Sequence, residues 1–206
     1  MKELLKRYPM LAACEEAIIA AKDIMINSFE NGGQLLVCGN GGSSADSDHI
    51  VGELMKGFLL KREIPQGFRD ELKEIFPDSA DYIADNLQGA IPAISLTSQS
   101  GLISAFANDV KPDMVYAQQV YGYGKINDVF IGLTTSGNSA NVVNAAMVAK
   151  AGGLFVIGMT GEWECKLDNI ADVVIHVPES ETFKVQELHL PVYHYLCAEC
   201  ERALFG

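Results

Sequence analysis

The chain has no run of about 18 apolar residues, so no helix of it is expected to cross a membrane. Its opening residues, Met1-Lys2-Glu3-Leu4, lack the apolar stretch of a signal peptide, and a cytoplasmic location is expected. Positive charge is scarce: 15 Lys and Arg stand against 27 Asp and Glu, for a net charge of −12. Phosphate backbones are bound by clustered cations, so neither DNA nor RNA is an expected partner. A disulfide framework is not expected either. The five cysteines (Cys14, Cys38, Cys165, Cys197, Cys200) are odd in number and scattered, which points to reduced thiols. Cys197 and Cys200 form a C-x-x-C, but in a helical stretch, without a second pair and without the turn of a redox motif. No metal or redox role is assigned to them. Also missing are G-x-x-x-x-G-K-[ST] and G-x-G-x-x-G, so a nucleotide is not indicated.

What is present is an ordinary globular balance in 206 residues, 49% hydrophobic and 20% charged, enough for one domain with a real core. Residues 2 to 30 carry apolar positions at the helical period, divided near Pro9 and closed by Asn31-Gly32-Gly33. This helical segment, residues 1–33, either packs on a second subunit or covers one face of a sheet. Five apolar strands are expected at Gln34–Gly39, Ile91–Leu96, Val129–Leu133, Leu154–Met159 and Val173–Val177, with helices between them. The last helix runs from about Lys184 to Leu204, and Pro191 should bend it. Near-uniformly apolar strands alternating with helices indicate an α/β fold, a doubly wound parallel sheet between two helical layers. The stretch from about 60 to 87 is charged and reads as an insertion, either a lid or interface element or a solvated excursion.

In such a fold ligands bind beyond the carboxyl ends of the strands. Two loops there are rich in anion donors. Gly39-Asn40-Gly41-Gly42-Ser43 joins the first strand to a helix, so its amides face the positive end of a helix dipole. Thr134-Thr135-Ser136-Gly137-Asn138-Ser139 places four hydroxyls where another helix begins. Two such loops at parallel positions indicate a phosphate-bearing ligand, with the second the better phosphate seat. His49 and Glu53 share one helix face at i, i+4 spacing. With one or two groups from the last helix, which carries Gln186, Glu187, His189 and His194, they make a nitrogen and oxygen set suited to zinc. Gln186 and His194 are eight residues apart, about 12 Å along a straight helix, which strains a shared metal. A bend at Pro191, a second subunit, or a substrate role for Gln186 would each resolve this. His176, in the fifth strand, reads as a structural edge residue.

These motifs, namely Cys38-Gly39-Asn40-Gly41-Gly42-Ser43, His49-x3-Glu53, Asn108-Asp109, Thr135-Ser136-Gly137-Asn138-Ser139-Ala140-Asn141-Val142, and Val185-Gln186-Glu187-Leu188-His189 with His194, resemble the phosphoheptose isomerase family of sugar-isomerase (SIS) domains. The resemblance spans most of the chain, in the family's order. It implies a single SIS domain over 1–206, a five-stranded parallel sheet, and a homotetramer with interfacial sites. The implied reaction is isomerisation of sedoheptulose 7-phosphate to a glycero-manno-heptose 7-phosphate through an enediol. Zinc ligands implied by it are His49, Glu53, Gln186 and His194. Implied substrate contacts are Asn40, Gly41, Gly42, Ser43, Glu53, Asn108, Asp109, Thr134, Thr135, Ser136, Ser139 and Gln186. Glu53 and His194 are the implied catalytic pair, a carboxylate and an imidazole able to exchange protons near neutral pH.

Two departures stand out. The 60–87 stretch is longer than is usual in the family, and Phe183 occupies the place of an aspartate implicated in sugar-ring opening, with Glu181 the nearest acid. The rival reading is a SIS protein that binds sugar phosphates, as sensor or regulator, without turnover. The presence of Glu53 and His194 favours the enzyme.

Overall fold

The computed structural model describes residues 1–206. Five parallel strands form one sheet: β1 Leu35–Gly39, β2 Ala93–Ser95, β3 Val129–Leu133, β4 Phe155–Thr160 and β5 Val173–His176, in the order β2-β1-β3-β4-β5. The registers run Leu35 to Ala93 and Val129, Val129 to Phe155, and Ile157 to Val173. The α/β doubly wound architecture read from the sequence is therefore observed.

The helices are α1 Lys2–Arg7, α2 Glu15–Glu30, α3 Gly42–Met55, α4 Gln66–Ile75, α5 Ala80–Asn86, α6 Ser100–Asp109, α7 Val115–Tyr123, α8 Ala140–Ala151 and α9 Thr182–Phe205. Short 3-10 turns at Pro9–Cys14 and Pro112–Met114 lead into α2 and α7. Each proline opens its turn, where a missing N–H costs nothing.

Alternation along the strands divides the core. Leu35, Val37, Ile131, Leu133, Ile157 and Met159 pack under α2, α3 and α9. Leu36, Cys38, Phe130 and Val156 face the other way, against α7 and α8. Both faces of the sheet are thus covered, which is why its strands read as unbroken apolar runs. Helix α2 buries Ile18, Ala21, Met25 and Phe29, so it covers one sheet face, whereas α1 buries nothing. Helix α9 continues through Pro191. The lost backbone bond is outweighed by the packing of Leu188, Val192 and Tyr193, all buried around it.

The charged stretch after α3 differs from its sequence reading at one residue. Arg62 is among the largest fully buried side chains. Its Nε donates to Glu201 Oε1 at 2.7 Å, and both side chains are 0% exposed. Beyond it, α4 and α5 form a hairpin cross-linked by Arg69 to Asp85 and Lys73 to Asp81. Phe68, Ile75 and Phe76 on the α4 side stay uncovered, with Leu72 half-buried beside them.

Candidate active site

The sheet order sends the chain from β1 outward to β2 and from β3 outward to β4 on the opposite side. The loops after β1 and β3 are therefore neighbours at a switch point, where doubly wound sheets bind ligands. Their contact is direct. Asn40 Nδ2 donates to Asn141 Oδ1 at 2.9 Å, and Asn141 Nδ2 donates back to Asn40 Oδ1 at 2.9 Å. Tyr116 Oη braces the β1 end by donating to the Gly39 carbonyl at 2.9 Å.

Glycine is required in the first loop for two separate reasons. A Cβ on Gly39 would lie 2.6 Å from the Ser43 Cβ, so the strand and the first turn of α3 could not approach this closely. Gly41 has φ 57° and ψ −120°, a region that side chains rarely tolerate. The amides of Ser43 and Ser44 donate to the Asn40 and Gly41 carbonyls at 3.1 and 3.0 Å, so what the turn offers an anion is the positive end of the α3 dipole. In the second loop, Gly137 at φ 64° closes a turn onto Thr134. The Thr134 and Ser139 hydroxyls are 2.9 Å apart, and the Asn138 amide donates to Ser136 Oγ at 3.2 Å. Thr134 is buried and Ser136 is exposed, so the loop offers a graded wall of hydroxyls at the head of α8.

The titratable side chains converge farther along α3. His49 Nε2 lies 3.1 Å from Glu53 Oε1 and 3.4 Å from His194 Nε2. One ligand atom from each of the three residues falls within 4.8 Å of the others. Donor atoms held at about 2.1 Å by a tetrahedral metal stand about 3.4 Å apart, so the two measured separations fit a metal between them. His194 is held below its ordinary pKa by burial and then by the nearby His49, with Glu53 opposing. Its imidazole is neutral near pH 7 and keeps a lone pair for a ligand or a proton. Glu53 Oε2 points elsewhere, 3.4 Å from Lys56 Nζ. The Phe58 ring packs on the His194 ring at 5.5 Å between centroids. A cavity of 440 Å³ adjoins the cluster between α1 and α9, walled by Tyr8, Phe58, Leu59, Leu190, Pro191 and His194 among others.

The remaining expected residues are arranged as follows. Asn40, Gly41, Gly42, Ser43, Thr134, Thr135, Ser136 and Ser139 line the two adjacent loops. The Gln186 amide lies against Gly42, 2.8 Å from where a Cβ would stand. That is the head of α3, seven residues and about 10 Å of helix rise before His49. Gln186 therefore stands with the loop residues, apart from the His49, Glu53 and His194 cluster. Asn108 and Asp109, at the end of α6, are exposed and bonded to each other at 2.8 Å, with no hydrogen bond to the other expected residues. His176 is a structural edge residue, its Nε2 bonded to Asp168 Oδ1 at 2.8 Å.

Sequence reasoning missed four contributors. Tyr193 Oη donates to Asp46 Oδ1 at 3.1 Å and lies 3.0 Å from His49 Nδ1. Asn141 and Phe58 bear on Asn40 and His194 as described. Asp46 had a legible signal, its i, i+3 spacing from His49 on α3. Tyr193 had only its adjacency to His194.

A family model described as "SIS domain" matches residues 1–68 and 72–161. A protein named phosphoheptose isomerase from Rhodospirillum rubrum is 34% identical over 194 residues, covering 94% of this chain and 89% of that one. Another so named, from Leptospira biflexa, is 38% identical over 189 residues, with 92% and 85% coverage. The solved structure of a phosphoheptose isomerase from Francisella tularensis is similar with a TM-score of 0.78 at 28% identity, covering 95% of this chain and 91% of that one. The one from Neisseria gonorrhoeae gives 0.76 at 28%, with 98% and 94% coverage. Relatives alike over nearly the whole length, sharing the sheet that builds these two loops, make the chain a member of the phosphoheptose isomerase family of SIS-domain proteins.

Proposed function

We propose that the protein is an aldose–ketose isomerase that converts sedoheptulose 7-phosphate to D-glycero-D-manno-heptose 7-phosphate through an enediol. The observation that carries this reading is the convergence of His49, Glu53 and His194 around the helix that the first of two adjoining loops opens. The Thr134–Ser139 loop, with the head of α8, holds the phosphate by hydroxyl and amide donors. The Asn40–Ser43 turn and Gln186 hold the sugar chain, and the exposed Asn108 and Asp109 add polar contacts. Glu53 takes a proton from C1 and returns it to C2. His194 takes the proton leaving O1 and passes it to O2, so the proton count closes without an external acid or base.

His49, Glu53 and His194 are the residues that would hold zinc. Gln186 would complete the set as a fourth donor, although its amide stands at the head of α3 against Gly42. Bound zinc supplies Lewis-acid stabilisation of negative charge on the sugar oxygens. Glu53 serves both tasks through its two oxygens, since Oε1 faces the histidines and Oε2 is directed away from them.

The working assembly is a homotetramer. The uncovered α4 stripe and the absence of buried residues in α1 support an interface there. The five free cysteines support a reducing compartment, the cytoplasm.

The test is conversion of sedoheptulose 7-phosphate by metal-replete protein, followed by NMR. Glu53→Gln is expected to abolish turnover while sugar-phosphate binding persists. An unchanged rate in that variant removes Glu53 from the mechanism. No turnover of any seven-, six- or five-carbon ketose phosphate would make the protein a binding protein instead.

A further inference from the structure

A buried tyrosine joins the metal cluster to a carboxylate outside it. Tyr193 is 1% exposed, and its ring lies edge-on to His49 with centroids 5.4 Å apart. Its hydroxyl sits between Asp46 Oδ1 at 3.1 Å and His49 Nδ1 at 3.0 Å. The hydroxyl carries one proton for two neighbours. A carboxylate can only accept, so the proton goes to Asp46. The oxygen then faces Nδ1 with its lone pairs, and Nδ1 must bring the proton of that second bond. A neutral imidazole carries one N–H, so that bond leaves Nε2 bare, and it competes with Glu53 Oε1, a second acceptor 3.1 Å from Nε2. Nε2 is the atom directed at Glu53 Oε1 and His194 Nε2.

We propose that Tyr193 and Asp46 are positioning residues that hold His49 as the Nδ1–H tautomer, with its Nε2 lone pair facing the metal seat. The inference rests on the metal reading of the His49, Glu53 and His194 cluster. One turn of α3 carries both the ligand and its remote carboxylate, because Asp46 and His49 are three residues apart on one face. Adjacent residues of α9 complete the set: His194 supplies a ligand and Tyr193 orients the opposite one. Without the relay, His49 is free to take the Nε2–H tautomer, which turns a donor proton toward the metal seat. Partners that fix a ligand histidine in this way typically contribute 10- to 100-fold in metal affinity.

The test uses full-length protein and two measurements. Chelator competition reads zinc affinity in the wild type, Tyr193→Phe and Asp46→Asn. Long-range nitrogen–proton NMR of the zinc-free protein at pH 8 reads the His49 tautomer. Zinc affinity is expected to fall about 10- to 100-fold in both variants. The wild type should show the Nδ1–H form, and the variants a mixture. Should Tyr193→Phe not fold, Asp46→Asn decides, because the Asp46 side chain is only partly buried. Wild-type affinity in a folded variant overturns the proposal, as does an Nε2–H tautomer in the wild type. A wild type that takes up no zinc overturns the metal reading instead, and the NMR result then decides the relay alone.

Discussion

Removing the Glu201 carboxylate should cost more stability than any single apolar truncation near the site. Glu201 Oε1 accepts from the Phe58 amide at 2.8 Å and from Arg62 Nε at 2.7 Å. Its Oε2 accepts from the Leu59 amide at 2.7 Å and the Leu60 amide at 3.1 Å. Arg62 in turn donates to the Leu54 carbonyl at 2.5 Å and the Glu53 carbonyl at 2.9 Å, at the end of α3. Glu201→Leu strips one side of a buried ion pair, worth about 3–5 kcal/mol. It also orphans three amides, each costing about 1–3 kcal/mol where water cannot reach. Partial relaxation brings the expected loss to about 5 kcal/mol, comparable to the whole stability of many domains. Arg62→Met should cost about 3–5 kcal/mol, and the double variant clearly less than the sum, since no uncompensated charge remains. Urea unfolding at one pH with a common slope reads all three. A loss below about 1 kcal/mol for Glu201→Leu, or strict additivity, would refute the buried-clamp reasoning. Burial pushes the Glu201 carboxyl up, but the Phe58 and Leu59 amides and Arg62 outweigh it and hold it below its usual value of 4.5. The clamp's pH-linked stability is therefore present above pH 4.5 and is lost as the pH falls through the lower folded value.

His189 predicts a second pH effect. Burial pushes its imidazole down from 6.5 to about 4, although its bond to the Thr160 carbonyl opposes this. Between those values the unfolded chain binds a proton that the folded chain refuses, so stability falls on acidification by up to about 3 kcal/mol. His189→Phe should flatten the stability profile over that range in urea titrations, and an unchanged slope would remove His189 as the cause. Gly41 and Gly52 form a matched pair, since a Cβ on either meets nothing within 4 Å. Gly41→Ala should cost about 2 kcal/mol through its backbone angles alone. Gly52→Ala, inside α3, should gain about 0.5–1 kcal/mol by thermal or urea unfolding.

The parts of the fold legible in the sequence are those set by local chemistry. Val129–Leu133 was bounded as observed because both its faces are buried and polar turns stop it. The break at Pro9 and the turns after β1 and β3 were legible for the same reason: proline and glycine dictate local angles. Arg62 falls in a stretch that reads from sequence as a charged insertion, and its burial was not legible because its partner, Glu201, lies 139 residues away. No window of sequence reports that pairing. The His49, Glu53 and His194 grouping was half legible: the i, i+4 pair is local, whereas His194 depends on how α9 crosses α3. The position of Gln186 against Gly42 was not legible, because side-chain direction along a long helix is set by packing and not by residue count. Tyr193 carried no signal of its own, since an aromatic on an apolar helix face reads as core, which most of its ring is.

The paired amides of Asn40 and Asn141 bear on how the pocket chooses its guest. Asn40 is exposed and Asn141 half-buried, and each already satisfies the other. A sugar hydroxyl that takes Asn40 must break that handshake, so its gain is an exchange of one hydrogen bond for another and nearly cancels. Affinity drawn from this corner is small. Discrimination is not, because a guest whose hydroxyl falls slightly out of place breaks the pair and puts nothing in its stead. With the sugar seated as proposed, the corner would work as a gauge of hydroxyl position and add little grip.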